Sequence, residues 1–211
     1  MGNYAVAGCR WKARRPRWWE QPDRQMTEVS AVPDLRGKRI AFIMANEGVE
    51  QVELTEPWKA LRQVNAQCEI VAPQGGDVQA MNHLDKADRF PVDRMTSELR
   101  VEDYDGVVLP GGVANADFLR MDAPAVDFVR RFFQAGKPMA VICHAPWALV
   151  EADVVRGLTL TSWPSLRTDI CNAGGTWVDV EVHVEHRLVT SRGPDDLKAF
   201  CPAIMDEFET P

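Results

Sequence analysis

Of the five cysteines, at 9, 68, 143, 171 and 201, only Cys143 has a chemical setting. It follows the apolar run Met139-Ala140-Val141-Ile142, entered from Gly136-Lys137-Pro138, and precedes His144 and Ala145-Pro146-Trp147-Ala148-Leu149. The run reads as a buried strand entered from a turn. The residues after it read as the first turns of a helix, where proline is tolerated because its missing N–H has no partner there in any case. The cysteine would then stand on a sharp strand-to-helix turn, a nucleophile elbow, facing free N–H groups and the positive end of a helix dipole. Those features favour an anion, which for cysteine is the reactive thiolate.

Three groups could serve such a thiol. Glu50, within Asn46-Glu47-Gly48-Val49-Glu50-Gln51-Val52-Glu53, could set a protonated carboxyl against the sulfur, since two close anions repel and one pKa rises. The competing reading is that Glu47, Glu50, Glu53 and Glu56 are simply the acidic opening of a helix. Pro110-Gly111-Gly112 could supply backbone N–H groups for an oxyanion, or could be an ordinary turn. His144 could be the base, provided that an acid orients it. Strand alternation places His183 with Glu181 and Glu185 on a solvated face opposite Val182 and Val184. His83 reads as a surface residue in a polar loop, and Cys68 as a small core residue.

The elements that must hold these groups alternate in type. Arg39–Met44 reads as a buried strand, followed by a loop over Ala45–Gly48 and a helix whose apolar positions include Val52, Leu54, Trp58, Leu61 and Val64. Cys68–Pro73 and Asp105–Leu109 are further strands, with short edge pieces at Val78–Met81 and Phe90–Val92. A helix covers Ala123–Gln134, where Val126, Val129, Phe132 and Phe133 recur at helical spacing. After the elbow come strands at Leu158–Thr161, Trp177–Val184 and Arg187–Ser191, a short helix near Ser165–Asn172, and a last helix from Asp195 to about Phe208. This order predicts an α/β sandwich with a mainly parallel sheet and a site beyond the strand C-termini, where Met44, Leu109 and Ile142 end.

Composition bounds the rest. The 211 residues fit one domain over 34–211, preceded by a basic, Trp-bearing extension over 1–33 that is expected to be disordered. The net charge is −7, with +4 in residues 1–25 and −11 in the remainder, which argues against a nucleic-acid partner. No apolar run reaches the roughly 20 residues of a membrane span. The cysteines form no CxxC or metal-ligand spacing, and an odd scattered set without a secretory signal points to free thiols in a reducing cytoplasm. Neither a metal nor an organic cofactor is implied.

With Glu50, Leu109-Pro110-Gly111-Gly112, Ala140-Val141-Ile142-Cys143-His144-Ala145-Pro146, Ala152–Ser162 and Val189–Leu197 in order, the chain resembles the ThiJ/PfpI family of the class I glutamine amidotransferase-like superfamily. The likeness covers roughly Gly37 to Phe208 and is nearest the branch of intracellular proteases, general stress proteins and protein deglycases. It implies a flavodoxin-like three-layer α/β/α sandwich in which Cys143 is the nucleophile, His144 the base and Glu50 the acid touching the sulfur. It further implies that Asp117, in Asn115–Arg120, orients His144 from a neighbouring subunit, so that the protein works as a homodimer or a larger homo-oligomer. Oxyanion and substrate contacts fall to Gly111, Gly112, His144 and Ala145. The expected activity is that of a stress-related cysteine hydrolase, deglycase- or glyoxalase-like, acting on glyoxal or methylglyoxal adducts or on free methylglyoxal. The alternatives are an intracellular cysteine peptidase, or a redox-sensing stress protein or holdase that uses oxidation of Cys143.

Overall fold

The computed structural model describes residues 33–210, so the extension expected over 1–33 lies, but for its last residue, outside the described residues. The first half of the fold runs β1 (Arg39–Ile43), β2 (Glu47–Glu50), α1 (Gln51–Gln63), β3 (Gln67–Ala72), β4 (Asp77–Asn82), β5 (Asp85–Pro91), β6 (Arg94–Met95) and β7 (Gly106–Leu109). It continues with α2 (Val113–Leu119), α3 (Ala123–Gln134), β8 (Met139–Ile142), α4 (Pro146–Glu151), β9 (Thr159–Leu160) and α5 (Arg167–Asn172). The remainder is β10 (Thr176–Trp177), β11 (Val182–Glu185), β12 (Leu188–Ser191) and α6 (Leu197–Glu209).

Among the described residues a seven-stranded sheet has the order β11-β12-β8-β7-β1-β3-β6. Every pairing in it is parallel except β11 with β12. Alternation along β1 builds the layers: Ile40, Phe42 and Met44 enter one core with Leu54 and Leu61 of α1 and Phe200 and Ile204 of α6. Ala41 and Ile43 enter the other, with Phe128 and Phe132 of α3, Leu149 of α4 and Ile170 of α5. Strands covered on both faces are apolar nearly throughout, which is why β7 and β8 are buried at every position. Each fully buried Phe or Leu contributes roughly 1.5–3 kcal/mol relative to exposure. The result is the three-layer α/β/α sandwich with a mainly parallel sheet. Among the described residues no helix is long and apolar enough to cross a membrane.

Three local features depart from the sequence reading. The stretch expected to be a loop over Ala45–Gly48 leads at Glu47 into β2, which joins β4 and β5 in a separate three-stranded sheet. Helix α2 was not foreseen, because seven residues after a Pro-Gly-Gly break are too few to show a period. On β11 the two faces are not cleanly split: Val182 packs partly against the core but Val184 is exposed, whereas His183 and Glu185 are partly buried. Glu185 Oε2 accepts the Thr159 N–H at 2.9 Å, which turns that carboxylate toward β9 and brings His183 Nε2 to 3.3 Å from it.

Candidate active site

The elbow forms as its sequence requires. Cys143 follows β8 directly and adopts φ 62°, a left-handed conformation that is strained for a residue with a side chain. The turn is tied on both sides: the Cys143 N–H donates to Ser191 O at 3.0 Å, and the Trp163 N–H donates to Cys143 O at 2.8 Å. The expectation of a dipole-stabilised thiolate is corrected here. Helix α4 has only six residues. The Ala145 N–H is engaged by Ile142 O at 3.1 Å and the Trp147 N–H by His144 O at 3.1 Å. Burial pushes the Cys143 thiol up and the Glu53 carboxyl beside it adds to the rise, while the Gly112 and His144 N–H groups on the sulfur pull it down.

The carboxyl beside the sulfur belongs to Glu53 and not to Glu50. Helix α1 begins at Gln51, so Glu50 is its N-cap, and Glu53 falls one turn in, on the buried stripe with Leu54, Pro57 and Leu61. Glu53 is fully buried. Its Oε2 accepts the Gly111 N–H at 2.9 Å, its carboxyl reaches the Cys143 thiol, and its Oε1 has no hydrogen-bond partner. Burial lifts its pKa to about 8; the contacts with Cys143 and Gly111 oppose the rise and the Glu50 charge assists it. Glu53 therefore holds a proton at neutral pH, which removes its repulsion from the sulfur and makes its O–H a donor. Glu50 stands at the cavity wall, where Oε2 accepts the His83 N–H at 3.0 Å. A helix period carried back from Leu61 and Pro57 passes through Glu53; that signal was available in the sequence.

The turn after β7 approaches so closely that side chains are excluded. A Cβ on Gly111 would press on Glu53 Oε2 and lie 2.5 Å from Cys143 Cβ, and one on Gly112, at φ 94°, would meet Gly48 O and Glu50 N. Buried Asn115 fastens this turn to the exit of β1. Its Oδ1 accepts the Ala45 N–H at 2.7 Å, and its Nδ2 donates to Pro110 O and Gly111 O, both at 2.9 Å. Of the four expected oxyanion contacts, two are corrected, because the Gly111 N–H serves Glu53 and the Ala145 N–H serves Ile142. The N–H groups of Gly112 and His144 remain, both directed at the Cys143 sulfur.

His144 Nδ1 lies 3.2 Å from Cys143 Sγ, and burial lowers its pKa, so the ring is neutral and basic at pH 7. The imidazole is clamped between aromatic neighbours, stacked on Trp163 at 5.7 Å and meeting Trp147 edge-on at 5.6 Å. Its Nε2 is 3.4 Å from Ser165 Oγ. Asp117 is exposed on α2 and lines a different depression of its own chain, with Arg120, Met121, Asp127, Arg130 and Glu151. His183 lies outside the cavity.

The cavity in front of the sulfur, of about 340 Å³, is lined by Glu50, Glu53, His83, Leu84, Gly112, Val113, Cys143, His144, Trp163, Pro194 and Asp195. His83 and Leu84 come from the β4–β5 turn and Asp195 from the start of the last helical segment. Sequence spacing gave no sign of these three, since separate elements deliver them to one rim.

The DJ-1/PfpI family profile matches residues 38–207. The chain is 37% identical over 162 residues to the deglycase PH1704 of Pyrococcus horikoshii, covering 77% of this chain and 94% of that protein. It is 34% identical over 163 residues to a Bacillus subtilis protein named "Putative cysteine protease YraA", again covering 77% and 94%. Among solved structures, a ThiJ/PfpI domain protein from Brachyspira murdochii superposes with a TM-score of 0.77 at 18% identity, covering 83% of this chain and 99% of that one.

Proposed function

The chain belongs to the DJ-1/PfpI family, and from that premise we propose that it is a cysteine hydrolase acting on small carbonyl adducts, with glyoxal- or methylglyoxal-modified amines and thiols as substrates. The observation that carries this reading is the set of groups around one sulfur: Nδ1 of a neutral imidazole at 3.2 Å, a protonated carboxyl, and two N–H donors. Sγ bonds to the adduct's aldehyde-level carbon as its C–N or C–S bond breaks, and His144 takes the thiol proton and returns it to the departing amine or thiol. A proton then moves from that carbon to the neighbouring carbonyl carbon by way of an enediol whose oxygen lies beside the Gly112 and His144 N–H groups, which leaves a lactoyl thioester that water hydrolyses to free Cys143. A methylglyoxal adduct plus one water gives the free amine or thiol plus lactate. The two carbonyl carbons exchange oxidation level internally, so no external oxidant enters. A cavity of about 340 Å³ suits such a group better than an extended peptide.

Asp117 is proposed as the orienting acid, supplied to His144 by a second copy of the chain. Its exposure supports this, as does the exposed apolar surface of Val113, Phe118 and Met121 around it. The test is lactate and thiol or amine release from methylglyoxal-treated N-acetylcysteine and N-acetylarginine in an amine-free buffer. Wild type should turn over, Cys143→Ala should fall to background, and Asp117→Asn should lose roughly 10²-fold or more. Wild-type release no faster than Cys143→Ala would remove the carbonyl-adduct reading. Full activity in Asp117→Asn would remove the cross-subunit acid.

A further inference from the structure

The charge of the cavity is one-sided. The carboxylates of Glu50 and Asp195 face it beside the protonated Glu53, and no Lys or Arg lines it. The basic groups at hand are His144 and His83, whose Nδ1 is 3.9 Å from Glu50 Oε2. The nearest guanidinium in sequence, that of Arg192, is bound elsewhere: Nε and Nη2 lie 2.7 and 2.8 Å from the Asp196 carboxylate, and Nη1 lies 2.8 Å from Asp179. Among the described residues Asp195 takes part in no ion pair and is exposed at the mouth. A second, independent feature points to a ligand: fully buried Glu53 forms part of the cavity wall with Oε1 lacking any hydrogen-bond partner. A buried polar oxygen left so is costly unless a hydrogen-bonding group arrives with the ligand. Trp163 supplies an apolar wall beside the two outer carboxylates.

We propose that the cavity selects its substrate by positive charge, with Glu50 and Asp195 holding the guanidinium or ammonium end of an adduct while the carbonyl carbon sits at Cys143. This deepens the carbonyl-adduct reading and rests on it for the identity of the substrate. Arginine and lysine adducts would be preferred over neutral thiol adducts. Guanidinium fits two separated carboxylates particularly well, because its planar fork presents several donors at once.

The test reads the cavity's charge without turnover. Second-order rates of Cys143 modification are measured with cationic aminoethyl, neutral methyl and anionic sulfonatoethyl methanethiosulfonates, following the Cys143 peptide by mass spectrometry. The cationic-to-neutral ratio should exceed that of a free thiol by roughly fivefold. It should collapse toward the free-thiol ratio when Glu50→Gln and Asp195→Asn are combined. Glu102→Gln with Asp206→Asn, which changes net charge equally on surface away from the cavity, should leave the ratio high. A wild-type ratio equal to the free thiol's, or an equal fall in both double variants, overturns the proposal. Charge-selective labelling without adduct turnover would overturn the carbonyl chemistry and leave the charge selectivity standing; turnover without charge selectivity would do the reverse.

Discussion

The floor of the cavity and its rim are built on different principles. The floor is made where two parallel strands end and a helix begins: the elbow after β8, the turn after β7 and the first turn of α1. Its side chains are buried and tied, with Glu53 on the Gly111 N–H, Asn115 on three backbone groups and Cys143 held through its own N–H and C=O. The rim consists of His83 and Leu84 at a hairpin tip, Trp163, Asp195, and exposed α2. Leu84 is 87% exposed. The contrast teaches that reacting groups are placed by backbone geometry that few side chains could share, whereas the groups that meet the substrate's outer part stand on surfaces free to vary.

Cys143→Ala gives the largest effect. It keeps the Cβ and the backbone strain, so the fold should remain while turnover falls by more than about 10³-fold, measured as lactate release. If the melting temperature dropped with it, the elbow would owe its form to the thiol and the contrast would weaken.

Glu53→Gln should lower kcat by roughly 10²-fold, because the amide still accepts the Gly111 N–H but has no acidic proton for the sulfur. The pH dependence adds a sign. A carboxyl whose pKa is raised from 4.5 to about 8 stays protonated in the folded chain while the unfolded chain ionises. Wild-type stability should therefore fall between about pH 4.5 and 8 relative to Glu53→Gln, on the order of 4 kcal/mol, in denaturant titrations across that range. Activity that requires the protonated acid should decline above about pH 8, and the variant should lack that limb. Parallel stability curves for the two proteins would contradict a buried neutral carboxyl.

Asn115→Ala tests the floor's support and not its chemistry. The Ala45 N–H and Pro110 O lose their partner while Gly111 O keeps the Glu50 N–H, and a loss of about 1–3 kcal/mol in unfolding free energy is expected, together with a lower kcat. At the rim, Leu84→Ser should change KM by less than about threefold and leave the melting temperature within about 1 °C. A large stability loss there would mean that the hairpin tip is packed as part of the fold.

Much of this was legible in the sequence. The apolar run before Cys143 and the Pro-Gly-Gly at the end of the neighbouring strand identified the elbow and the parallel sheet. Both are local signals, set by steric limits at a turn and by burial on two faces. The acid at the sulfur was misplaced by one helical turn, because four glutamates at three-residue spacing look alike until the start of α1 is fixed. The oxyanion donors were over-counted for a related reason: an N–H is free or engaged according to which carbonyl or carboxylate the fold brings to it, and Glu53 and Ile142 claim those of Gly111 and Ala145.

By itself, then, the sequence determined the layer architecture, the elbow position of Cys143 and the histidine beside it. These follow from patterns within a dozen residues of one another. Only the tertiary structure decided that Glu53 and not Glu50 meets the sulfur, that the Cys143 thiol is buried there, and that Glu50, His83 and Asp195 share one wall. Each of these depends on groups far apart in the chain meeting in a space closed to water, where desolvation and contact outweigh local propensity.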